Sequence, residues 1–164
     1  MTAGSPRIVV LGLGNDILAD DAVGLLAARA LRTVAPPGVQ VLEAASTGLD
    51  LLDLLADCDC ALLLDSVLTG RHPAGTILEF APEMLGTAIA PSPHFAGIPD
   101  LIALAARLDL PFPHTIRVLA CEIEDAYTVR EGLGASVLAA LPAFVATARD
   151  ILATWASILP GPAS

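Results

Sequence analysis

Residues 7–24 read RIVVLGLGNDILADDAVG, and this stretch decides the fold. From Arg7 to Leu13 the run is β-branched or leucine with no polar alternation, as expected of a strand buried on both faces. Gly12 and Gly14 then make a tight turn. Asp20 and Asp21 open a helix whose apolar residues Val23, Leu26, Ala30 and Val34 recur at helical spacing, and Pro36-Pro37-Gly38 ends it.

The same alternation continues outward along the chain. Val39 to Ala45 reads as a second strand, Cys60 to Asp65 as a third buried strand, Gly75 to Phe80 as a fourth near a sheet edge, and Thr115 to Cys121 as a fifth. Leu49, Leu52, Leu55 and Ala56 give a short helix after Gly48. Ile98, Leu101, Ile102, Ala105 and Leu108 give another, opened by Pro99. Leu138, Leu141, Val145, Leu152 and Trp155 mark a long terminal helix, with a kink expected at Pro142. Between Ala81 and Pro93 proline and glycine punctuate a loop, and residues 160–164 should fray. There is no repeat or interdomain linker. The expectation is an α/β fold over residues 1–164: one domain, with a mostly parallel, twisted five-stranded sheet and helices on both faces. The functional site of such a sheet lies beyond the carboxyl ends of its strands.

Bulk properties narrow the function. The 164 residues are 55% hydrophobic and only 4% aromatic, so Ala, Leu, Val and Ile must fill the core. Mean hydropathy of +0.72 raises the question of a membrane span. Gly132 to Ala148, Ala-rich and interrupted by Pro142, reads instead as a buried helix face, so no membrane insertion is expected. Eight basic and 18 acidic residues give a net charge of −10, which disfavours nucleic acid and anionic membranes and suits a cationic ligand or simple solubility. Cys58, Cys60 and Cys121 are an odd set without a CxxC, against a disulfide framework or structural zinc site. Alternation places Cys58 and Cys60 on one face as small buried hydrophobes. No signal-peptide pattern is visible, so a cytoplasmic location is expected.

Several residues could carry chemistry. Gly12-Leu13-Gly14 suggests a dinucleotide fingerprint, but Ile17 stands where the third glycine belongs. Asp20 reads as a cap for the free N–H groups of its own helix, and Asp21 as a complement to the helix dipole or a functional acid. Asp65 closes a very apolar strand, where a carboxylate packs poorly but faces the carboxyl-end crevice. His94 follows Pro91-Ser92-Pro93. His72 and His114 have no acidic or cysteine neighbours at ligand spacing and read as surface residues. Asp21, Asp65 and His94 follow three different elements on one edge of the expected sheet, and together make an open site for a borderline metal such as nickel or zinc.

From Arg7 to Ala148 the chain resembles the nickel–iron hydrogenase maturation proteases. The likeness rests on four segments in order: Leu11 to Asn15 with Asp20 to Gly24, Leu42 to Gly48 through Leu52, Leu63-Leu64-Asp65, and Ser92-Pro93-His94 followed by a helix containing Leu101. It implies a metal-binding and catalytic triad of Asp21, Asp65 and His94, and an endopeptidase that removes the C-terminal extension of a hydrogenase large-subunit precursor. The nickel would be carried by that substrate, with zinc or cadmium able to substitute in the site. One segment departs from the family pattern of an acidic residue followed by Gly-Gly-Thr. Here it is Glu43-Ala44-Ala45-Ser46, which makes Glu43 a candidate contributor with a longer reach and a more restricted backbone behind it. Two other readings stay open: a nickel-binding maturation factor or metallochaperone without peptidase activity, and a nucleotide-binding doubly wound enzyme.

Overall fold

The computed structural model describes residues 6–45, 48–86, 94 and 97–158. Strand β1 (Ile8–Leu13) leads through a 3-10 turn (Ala19–Ala22) into helix α1 (Val23–Leu31). There follow β2 (Val39–Ala44), α2 (Asp50–Leu55), β3 (Cys60–Val67), β4 (Ile77–Phe80), a second 3-10 turn (Pro82–Gly86), α3 (Ile98–Arg107), β5 (Thr115–Glu122) and α4 (Ala135–Ile158). The sheet order is β2-β1-β3-β5-β4. The first four strands in that order are parallel, and β4 lies antiparallel at the edge. This is the expected α/β architecture, with the fourth strand at an edge as its short, flanked run suggested.

Strand periodicity divides the interior into two layers. Ile8 and Val10 of β1, Cys60, Leu62 and Leu64 of β3, and Leu119 and Cys121 of β5 pack with α1 and α4. Their neighbours Val9, Leu11, Leu13, Ala61, Leu63, Val118 and Ala120 pack with α2 and α3. Every residue of β1 and β3 is buried, so both runs lack the alternation of a one-sided strand. A fully buried leucine contributes about 1.5–3 kcal/mol over an exposed one, and the described interior holds ten such leucines together with the fully buried Phe144.

The structure corrects several details. Helix faces are rotated from the expected stripes. Helix α1 buries Val23, Leu25, Ala27, Ala28 and Leu31, while Ala30 and Val34 are exposed. Leu49, Leu108 and Leu138 are exposed as well. In helices this rich in Ala and Leu more than one stripe reads as apolar, so spacing alone does not select the face that packs. Helix α4 is long and apolar enough to span a membrane by length and composition. It lays Val137, Phe144, Ala148, Ile151, Leu152 and Trp155 on the sheet and continues through Pro142. Cys58 and Cys60 are both buried but in opposite layers. Asp57 turns the chain at φ 60 and the strand begins only at Cys60, so strand alternation does not apply to Cys58. The expected loop from Ala81 contains the 3-10 turn. Residues 87–93, the fraying tail 160–164 and the 46–47 part of the second resemblance segment lie outside the described residues.

Candidate functional site

The site forms where the strand order reverses. From β1 the chain crosses to β2 on one side and then to β3 on the other, so the carboxyl ends of β1 and β3 diverge and leave a crevice. Pairing of β1 with β3 ends at Gly12–Leu64, whereas β3 continues beside β5 as far as Val67–Glu122. Asp65 therefore does not close its strand. It lies just past the last β1 partner, two residues before the strand ends.

Glycines bring the first helix against this point. A Cβ on Gly24 would press into the carbonyl oxygens of Leu13 and Leu64 and come within 3.0 Å of the Asp65 Cα. Gly14, at φ +150, could not carry a side chain without meeting the Asp21 carbonyl. These glycines serve close packing of helix on strand, and thereby bring Asp21 over the end of β3.

Asp21, Asp65 and His94 are all buried, and one donor atom from each lies within 4.8 Å of the others. His94 Nε2 is 3.3 Å from Asp21 Oδ2. The Ser66 hydroxyl donates to Asp21 Oδ1 at 2.9 Å, and the Ser66 backbone N–H donates to Asp65 Oδ1 at 2.7 Å. The hydrogen bond to Asp21, assisted by the charges of Asp65 and Asp21, raises the His94 pKa against the opposing effect of burial.

The donor set fits a borderline divalent ion. Ligands 2.0–2.2 Å from a zinc-like ion are at most about 4.4 Å apart and, in tetrahedral geometry, about 3.4 Å apart. The His94–Asp21 separation of 3.3 Å matches the second figure, and pairs at the outer 4.8 Å limit would close by about 1.4 Å around a tetrahedral ion. Two oxygens and one nitrogen also leave room for ligands from another molecule.

The HycI family model, described as hydrogenase maturation protease, matches residues 25–151. The chain belongs to this family. The match includes Asp65 and His94 and begins just past Asp21. Hydrogenase 2 maturation protease of Escherichia coli is 31% identical over 119 residues, covering 69% of this chain and 71% of that protein. The hydrogenase expression/formation protein HupM of Azotobacter chroococcum is 32% identical over 167 residues, covering 94% and 78%. The solved hydrogenase maturating endopeptidase HybD from E. coli superposes with a TM-score of 0.78 at 25% identity, covering 90% of this chain and 93% of that one. This maturation protease is accordingly a hydrolase of the endopeptidase class, and the nucleotide-binding reading falls away.

Other acids that the sequence singled out serve different ends. Asp20 makes no cap on its own helix. Its Oδ1 instead accepts the Gly134 N–H at 2.6 Å, immediately before α4, because the 3-10 turn aims the side chain across the fold. Glu43 is outside the three-residue group. It accepts from Arg29 at 2.9 Å and Arg32 at 2.7 Å, and Arg29 also grips Asp16 through two bonds of 2.8 Å. These contacts push the Arg29 pKa above its ordinary value and hold Asp16 below its own. His72 and His114 are exposed, as expected. Ser66 was not anticipated. Its signal was its place directly after a buried acid at a strand's carboxyl end.

Proposed function

We propose that this maturation protease removes the C-terminal extension of a nickel-loaded hydrogenase large-subunit precursor in the cytoplasm. The observation that carries the reading is the convergence of Asp21, Asp65 and His94 within 4.8 Å at the carboxyl edge of the sheet. Nickel is cargo of the substrate here. Two carboxylates and one imidazole form a weak set without thiolates, suited to sampling an ion that the precursor's own soft ligands already hold. Zinc or cadmium would fit the same donors.

His94 supplies the strongest borderline ligand of the three. Asp21 and Asp65 supply negative charge close to where the precursor chain must lie, so either is placed to take a proton from an attacking water. Their burial strengthens these interactions relative to bulk water. Glu43, held by two arginines, contributes to the shape of the α1–β2 surface.

The test is co-expression with candidate large-subunit precursors, with and without nickel, followed by intact-mass measurement of their C-termini. Trimming of nickel-loaded precursor alone is expected. Equal trimming of nickel-free precursor would remove the sampling role. Ion binding with no trimming of any candidate would favour a maturation factor without peptidase activity.

A further inference from the structure

We propose that Ser66 is the positioning residue of this site, setting the orientation of both carboxylates toward a shared ion. The inference rests on the reading of Asp21, Asp65 and His94 as the ion's ligands. Ser66 is buried between the two acids and touches each through a different group. Its backbone N–H holds Asp65 Oδ1 at 2.7 Å, and its hydroxyl holds Asp21 Oδ1 at 2.9 Å. Asp21 is thereby rotated so that its other oxygen, Oδ2, stands 3.3 Å from His94 Nε2.

The two bonds differ in what mutation can reach. Any residue except proline keeps the backbone N–H, so the hold on Asp65 survives substitution. Only the hydroxyl is removable, and its loss acts on Asp21 alone. Without that donor the Asp21 carboxylate keeps only the 3.3 Å contact to His94 to fix its terminal torsion, which is broad and roughly two-fold. Groups that orient ligands in this way typically alter metal affinity about 10–100-fold when lost. Register explains why the residue can serve both acids. Ser66 pairs with Cys121 while β1 pairing has already ended at Leu64, so the side of β3 nearest Asp21 is open to it.

The experiment is a zinc titration of the free chain, followed through the ring resonances of His94, beside the precursor-trimming assay. Ser66→Ala should weaken zinc binding roughly tenfold. Ser66→Thr, which keeps the hydroxyl, should bind close to the parent. If Ser66→Ala does not fold, the pair Ser66→Thr and Ser66→Val gives the same contrast at matched shape, with Val the weaker binder. Parent-like binding by the alanine or valine variant overturns the assignment. So does equal loss in alanine and threonine variants, or a parent whose His94 resonances ignore zinc. A parent that binds zinc but trims no precursor defeats the protease reading and leaves Ser66 in place. A parent that trims precursor while Ser66→Ala binds zinc unchanged defeats the Ser66 assignment alone.

Discussion

Two buried acids stand on the same carboxyl edge of the sheet and show how differently one residue type can be used. Glu122 ends β5 opposite Val67, two register positions along from Asp65. Its carboxylate accepts the Thr69 N–H at 2.8 Å, the Thr69 hydroxyl at 2.7 Å and the Gly70 N–H at 2.9 Å. Those donors tie down the loop that leads from β3 toward β4. Around Asp65 the arrangement changes, because a second carboxylate and an imidazole crowd the same space. A carboxylate satisfied by neutral donors of its own chain is a structural device. Two carboxyl groups brought together with an imidazole in a buried space carry a cost to folding, and point to a ligand that relieves it.

The contrast can be broken most sharply at the site itself. Asp21→Asn and Asp65→Asn should each reduce precursor trimming by more than about 100-fold, since direct ligands matter at least as much as the groups that orient them. Both variants should melt at or above the parent temperature, because removing one of two grouped charges lessens repulsion. His94→Ala should weaken zinc binding in the same titration. Normal trimming by all three would make the cluster structural.

Glu122→Gln should behave in the opposite way. Replacing an acceptor-only group among three donors should cost about 1–3 kcal/mol, which for a domain of this size lowers Tm by about 2–4 °C per kcal/mol. Trimming measured well below the melting temperature should persist. Loss of trimming in a fully folded Glu122→Gln chain would show that the loop it holds takes part in substrate recognition.

Smaller effects are expected from the remaining acids. Asp20→Ala should lose about 1 kcal/mol by removing the acceptor for Gly134, whereas Asp20→Asn should melt within about 0.5 kcal/mol of the parent. Inactivity of Asp20→Asn with activity retained in Asp21→Asn would exchange the roles of the two neighbours. Glu43→Gln should change stability by no more than about 1 kcal/mol, since its arginine partners are largely exposed. Its effect on trimming should be minor; a large loss would place Glu43 in the chemistry.

The fold was legible because buried parallel strands write themselves as uninterrupted apolar runs. RIVVLGL and CALLLD admitted few other readings, and the ends of β1 and β2 were placed to within a residue. Helix faces were not legible, since Ala-rich helices carry several apolar stripes and only packing chooses among them. At the site, the three converging residues could be found from their places on different elements. The target of Asp20 could not be, because Gly134 is 114 residues away in the sequence. Nor could the partners of Glu43, which are exposed arginines in the last turn of α1 and at its C-cap. Ser66 was missed for a different reason: its place directly after Asp65 is the one signal it carries, and that signal gains meaning only when the neighbouring acids are known to share space.

The long reach of Asp20 has a consequence for how the protein is made. Leu18 also bridges to Arg130, and the Ala19 N–H donates to the Arg130 carbonyl at 3.0 Å. The segment carrying Asp21 is thus clasped by residues synthesised more than a hundred positions later, 114 in the case of Gly134. While the ribosome is still producing the middle of the chain, β1, α1, β2 and β3 can meet, but the clasp has no second half. Closing so distant a contact is entropically slow and comes late. The nascent polypeptide should therefore gain its sheet before the arrangement around Asp21 is fixed.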